Sequence, residues 1–238
     1  MNKSTKNQNI NAKNPISMSN LLQPGIRRPL WICRTTRQVV ILVRDKSGSM
    51  EDENKAEQAT KATQELVREL ARPVNKDGFY VAVVDFSEKA NIVHSLRKAT
   101  ELDGGIKPIY PFLGTNITDG LAKALNFLED SQKGTEEGVN YLRPVLLLFT
   151  DGIHNVGIEP NGIADDIKEI ADLVTVAYGK DADVKLLKYL ASTSQHFYKC
   201  RNGKELRQFL ASVGETMTAT LSSGINATEA LSKINRTS

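Results

Sequence analysis

Two kinds of hydrophobic run alternate along the chain. Residues 39–43 (VVILV), 78–87 (GFYVAVVDFS), 144–150 (PVLLLFT) and 173–178 (LVTVAY) are apolar at nearly every position and rich in β-branched side chains. Runs of that length and composition predict strands buried on both faces of a parallel sheet. Shorter strands are expected at 90–94, paired as a hairpin with 78–87 across Glu88-Lys89, and near 196–200. Between them the apolar spacing turns helical. Ala56, Ala59, Ala62, Leu66, Val67 and Leu70 place a helix over 54–71, with Pro73 beyond it as a stop. Leu121, Ala124, Leu125 and Leu128 place another over 116–128. Further helices are predicted at 163–171, 184–191 and 203–221, the last with Leu206, Phe209, Leu210, Val213 and Met217 on one stripe. Residues 95–113, with Asp103-Gly104-Gly105 and two prolines, read as a loop, and 131–143 as a polar surface insertion.

Strands alternating with helices imply a three-layer, Rossmann-like α/β fold, with a mostly parallel central sheet and one antiparallel edge strand. The domain is expected over 37–221. Residues 1–36 form a flexible or loosely docked arm, interrupted by Pro15, Pro24 and Pro29, with Trp31 anchoring the segment before the first strand. Residues 222–238 form a polar tail.

The totals narrow the function classes. A chain of 238 residues can bury one large core. A net charge of +3 comes from scattered lysines rather than a basic block, which argues against nucleic acid as a partner. No apolar run reaches the roughly 18 residues of a membrane span. The Asn- and Lys-rich start has no hydrophobic secretory core, so the expected location is the cytoplasm and a monomer is favoured. Cys33 and Cys200 lack metal-ligand spacing and are expected to be unpaired thiols.

The candidate chemistry gathers where ligands collect in such sheets, outside the carboxyl ends of the strands. The first strand ends in Asp45, with Ser47 and Ser49 two and four residues on and Gly48 to turn the backbone between them. Thr115 stands in GTNITDG just ahead of a helix, and Asp151 ends the strand PVLLLFT. Two carboxylates and three hydroxyls are hard oxygen donors, suited to Mg²⁺, with Mn²⁺ or Ca²⁺ as alternatives, and poor for zinc or copper. Taken singly, each residue is an ordinary cap or turn residue; the set in order is what carries the reading. Asp119 reads as a first-turn dipole partner, Asp85 as structural, and His154 as a solvated loop residue near the rim.

This combination resembles the von Willebrand factor A domain and its metal-ion-dependent adhesion site. The family's Asp-x-Ser-x-Ser stands as Asp45-Lys46-Ser47-Gly48-Ser49, its threonine as Thr115 and its last aspartate as Asp151. The DxSGSM form is most similar to intracellular bacterial members found beside tellurite-resistance genes. The resemblance implies a metal site that takes a Glu or Asp of a partner protein, no membrane role, and no catalysis. It also implies a last helix, 203–221, able to shift when the metal shell rearranges; static adhesion is favoured here, with that helix held by apolar packing rather than charge and its tail free to follow. Arg44 departs from the pattern, since an apolar residue usually precedes the aspartate. Pairing with an acidic residue such as Asp85 is favoured over holding an incoming anion. The competing class is a Mg²⁺-dependent phosphoaspartyl hydrolase of the haloacid-dehalogenase kind, which needs a second aspartate where Ser47 stands.

Overall fold

The computed structural model describes residues 36–133 and 136–235. Residues 1–35 of the expected N-terminal arm, with Trp31 and Cys33, lie outside the described residues, and Thr36 already belongs to the first strand. Seven strands form one sheet: β1 (Thr36–Asp45), β2 (Phe79–Phe86), β3 (Ala90–Lys98), β4 (Asn140–Tyr141), β5 (Val145–Thr150), β6 (Asp172–Tyr178) and β7 (Phe197–Cys200). Their order is β3-β2-β1-β5-β6-β7, with β4 added beside the start of β1. Every pairing is parallel except the β2–β3 hairpin at one edge, so the sheet has the predicted three-layer α/β form.

Alternation along each buried strand divides its side chains between two cores. Val40 and Leu42 of β1 face one way, into a cluster with Leu66 and Leu70 of α1 (Lys55–Leu70) and Leu210 and Val213 of α6 (Gly203–Ser223). Val39, Ile41 and Val43 face the other way, against Leu121 and Leu128 of α3 (Ile117–Lys133), Ile167 of α4 (Asn161–Ile170) and Leu187 of α5 (Val184–Leu190). A strand serving two cores has no polar face. That is why the sequence runs are continuous rather than alternating.

Several expectations need correction. β3 runs to Lys98 and is followed by a short helix α2 (Ala99–Leu102), where a loop was predicted. Its outer positions are polar because it is an edge strand, and this hid the pattern. The polar insertion at 131–143 contains β4 and the end of α3. The tail is not free: it carries α7 (Thr228–Ser232), buries Ala227 and Leu231, and is pinned by Thr228 Oγ1 donating to Asp172 Oδ2 at 2.6 Å and by Tyr198 donating to the Leu231 carbonyl. Helix α6 is also tied by charge, through an exposed, bidentate Arg207–Glu65 pair to α1. Exposed pairs of this kind contribute at most about 1 kcal/mol, so apolar packing still dominates the α1–α6 contact.

The strand order fixes where a site can form. From β1 the chain moves to β2 and β3 on one side, then crosses back to β5 and β6 on the other. The carboxyl ends of β1 and β5 therefore flank a point where connections diverge, the usual crevice of an open parallel sheet.

Candidate metal centre

At that crevice the loops after β1, before α3 and after β5 meet. Asp45 ends β1 fully buried. Its Oδ1 accepts from the Ser47 backbone N–H at 2.6 Å, and its Oδ2 accepts from the Thr150 hydroxyl. Burial pushes the Asp45 carboxyl up to about 6, opposed by those hydrogen bonds and reinforced by the nearby charge of Asp151. Asp151, also fully buried, accepts from Ser49 Oγ at Oδ1, 2.6 Å away. The Ser47 and Ser49 hydroxyl oxygens lie 3.0 Å apart. Residues 36 to 151 thus deliver Asp45, Ser47, Ser49 and Asp151 to one hydrogen-bonded cluster.

Thr115 arrives from the third loop. Gly114 before it has φ +78, a left-handed conformation that favours glycine, and a Cβ there would also run into Glu88. Thr115 is held by its backbone: its N–H donates to Asn155 Oδ1 at 2.9 Å, and its carbonyl accepts from the Asn155 N–H at 3.1 Å. The capping of α3 falls to Asn116, whose Oδ1 accepts from the Asp119 N–H at 3.1 Å. The Thr115 hydroxyl is released from that duty.

Gly152 tests whether these oxygens could hold an ion. A methyl group on it would sit 3.0 Å from Thr115 Oγ1 and 3.5 Å from Asp45 Oδ2. Glycine leaves open a small space faced by oxygens from two different loops, in a cavity also lined by Ser47, Ser49 and Asp151. Among the described residues no group of three or more His, Cys, Asp or Glu could hold a metal. A metal here therefore depends on hydroxyl donors, and hard cations accept them. The residues fit a divalent ion of the Mg²⁺ type.

Arg44, next to Asp45, is fully buried, and its guanidinium is bound to β2 and the Lys107 carbonyl. Its Nε donates to Asp85 Oδ1 at 2.7 Å and its Nη2 to Asp85 Oδ2 at 3.0 Å, with a further bond to the Lys107 carbonyl at 3.2 Å. Arg44 and Asp85 are register partners on β1 and β2. The structural pairing is the one realised, and it anchors the segment leading to Thr115.

Sequence reasoning missed or misread other members. Lys55, the first residue of α1, reaches into the cluster and donates to Asp151 Oδ2 at 2.6 Å. Burial opposes its charge, but the hydrogen bond and charge of Asp151, with Asp181 and Asp52 nearby, hold its ammonium above the usual lysine range. His154 lies on the loop after β5 as expected but is half-buried and hydrogen-bonded: Nδ1 accepts from the Ile117 N–H at 3.2 Å, and Nε2 lies 3.0 Å from the Ile158 carbonyl. The ring thereby clips the loop after β5 to the start of α3. Asp119 stands in the first turn of α3 as expected, and it is also a strut, its Oδ2 accepting from the Ala90 N–H at 2.6 Å. Leu113 and Ile153 line the cavity and are exposed, and exposed Phe112 sits beside Ser47, an apolar collar that solvent does not favour.

Residues 39–212 match the family model of the von Willebrand factor type A domain. The chain belongs to that family. A human relative, calcium-activated chloride channel regulator 4, is 27% identical over 177 residues, covering 70% of this chain and 18% of its own length. Among solved structures, proximal thread matrix protein 1 of the mussel byssus superposes with a TM-score of 0.64 at 21% identity, over 78% of this chain and 47% of the other. The von Willebrand factor domain of the pilus tip protein Mfa5 of Porphyromonas gingivalis gives 0.64 at 14% identity, over 79% and 97%. One structure of the byssus protein carries zinc in its metal-ion-dependent adhesion motif. This chain spans about a fifth of the human relative and about half of the byssus protein, so those likenesses concern the shared domain.

Proposed function

We propose that this von Willebrand factor A domain is a divalent-metal-dependent protein-binding module whose ion takes an acidic side chain of a partner. The observation that carries the reading is the oxygen-lined space over Gly152, faced by Thr115 and Asp45 beside Ser47, Ser49 and Asp151. A bound divalent ion would supply there a position that accepts a carboxylate oxygen. Ser47, Ser49 and Thr115 would hold it with neutral hydroxyls, while Asp45 and Asp151 supply the charge that retains it.

The apolar collar supports a protein rather than a free acid as the ligand. A single ionic contact at the centre of an interface gains strength from the desolvated area around it. Phe112 and Leu113 on one side and Ile153 on the other supply that area. The proposal extends to a bacterial stress-response or signalling complex in the cytoplasm, on the strength of the DxSGSM form alone.

No observation favours the phosphoaspartyl alternative. The position two residues beyond Asp45 holds the Ser47 hydroxyl, 3.0 Å from Ser49, where that chemistry needs a carboxyl proton donor. Hard oxygen donors argue for Mg²⁺, but the zinc in the byssus protein's motif makes Zn²⁺ a necessary competitor in any test. The test is retention of partner protein on the immobilised domain from native extract. Binding is expected to be lost in EDTA, restored by Mg²⁺, and absent with Thr115→Ala. Retention unchanged by EDTA would overturn the reading.

A further inference from the structure

Lys55 is built into the cluster rather than lying over it. Its side chain is 9% exposed and its ammonium touches both Asp151 Oδ2, at 2.6 Å, and the Ser49 carbonyl, at 3.4 Å. The approach is shaped from three directions. Glu53 and Asn54, just before it, both have positive φ (53° and 58°), an uncommon pair of left-handed residues that sets where α1 begins. Gly179, after β6, leaves the space the lysine stem occupies: a Cβ there would lie 3.3 Å from Lys55 Cε and 3.5 Å from Nζ. Asp181 lines the same cavity. Asp151 is thereby held at both oxygens, by Ser49 at Oδ1 and Lys55 at Oδ2.

Resting on the metal-site reading above, we infer that Lys55 sets the balance between metal affinity and ligand affinity, weakening the hold on the divalent ion and strengthening the loaded site's hold on a partner carboxylate. The argument is one of charge. Within a few ångströms of the carboxylates, a fixed ammonium opposes an incoming dication, and in a poorly screened pocket its effect is large. Once the ion is bound, the same ammonium leaves the site one unit more positive than it would be without it. An anion entering the ion's remaining position meets that extra charge. Metal and carboxylate binding are then coupled: the ion is held loosely alone and more firmly when a carboxylate completes the site. A lysine that merely packed against Asp151 would have no such paired effect of opposite sign.

The test is calorimetric titration of Mg²⁺ into the whole protein, with and without excess acetate as the carboxylate probe, for the parent, Lys55→Met and Lys55→Gln. Gln keeps a donor toward Asp151 without the charge, and it decides the matter should the Met variant fail to fold. The expected result is Mg²⁺ affinity raised at least about tenfold in both variants, with the tightening that acetate gives the parent reduced in both. Equal Mg²⁺ affinity and equal acetate response across the three proteins would overturn the inference while leaving the metal site standing. Absence of Mg²⁺ binding in all three would instead defeat the metal-site reading and the inference with it. Binding in the variants but not in the parent would support both.

Discussion

Ser49 Oγ donates to Asp151 Oδ1 at 2.6 Å, across 102 residues of sequence. This one bond closes the loop after β1 onto the end of β5, and the rest of the candidate site is arranged around it. The loop that carries Thr115 is the remaining wall, and it is fixed by backbone contacts to Asn155 rather than by its own hydroxyl.

The space over Gly152 is the most restrictive feature. Gly152→Ala is expected to abolish Mg²⁺ binding, because the new methyl would lie 3.0 Å from Thr115 Oγ1 and occupy the opening. The fold is expected to persist, with a stability change within about 3 kcal/mol, the usual cost of inserting a methyl into a packed site. Titration of metal alongside a far-ultraviolet spectrum checks both halves.

Metal is expected to stabilise the fold by mass action. At Mg²⁺ a hundredfold above its dissociation constant the gain is about 2.7 kcal/mol. For a domain of this size that raises the melting temperature by roughly 5–10 °C. EDTA is expected to remove the gain in the parent and to do nothing in Thr115→Ala. A differential scan with and without metal reads it.

Arg44 and Asp85 form a buried pair that neither residue can leave alone. Asp85→Leu is expected to cost about 3–5 kcal/mol, since it strands the guanidinium away from water. Arg44→Met together with Asp85→Leu is expected to cost less than either single change, because two apolar side chains replace two charges in a buried layer. Denaturant unfolding of the three variants measures the difference, and additive losses would contradict the pairing argument.

His94 gives the fold an acid sensitivity. Burial, reinforced by the charges of Arg44, Lys107 and Arg97, holds its ring below the ordinary value of 6.5, and Nε2 accepts from the Lys107 N–H at 3.3 Å. The folded state therefore resists a proton that the unfolded chain takes up near 6.5. Its contribution to stability is fully present above 6.5 and is lost as pH falls from there through the lowered folded value. Asp45, raised to about 6, acts in the opposite sense in metal-free protein, so the comparison must be made between parent and His94→Gln. The stability lost between about pH 7 and pH 5 is expected to shrink in the variant.

Much of this was legible in the sequence, for a definite reason. Strands that serve two cores are apolar throughout, so β1, β2, β5 and β6 announce themselves, and Asp45 and Asp151 follow at their ends. Ser47, Ser49 and Thr115 needed only the order of the elements. What escaped depends on distant partners. Lys55 opens a helix and looks like any exposed lysine; its burial requires Gly179 and Asp151, more than ninety residues away. The hydrogen bonds of His154 escaped because its two partners, Ile117 and Ile158, offer only backbone groups that carry no sequence signal. The docked tail rests on Ala227, Leu231 and the partly buried Ile234, a helical spacing that lasts only about two turns and so is too short to stand out in the sequence.

The central claim is that Asp45 and its neighbours hold a divalent ion, and Mg²⁺ titration of Asp45→Asn against the parent tests it most directly. Asparagine keeps the size and an acceptor oxygen but removes one of the two charges that retain the ion. Saturable Mg²⁺ binding in the parent, lost or weakened at least about a hundredfold in Asp45→Asn with an unchanged fold, is the predicted result. Equal affinity in the two proteins would contradict the account.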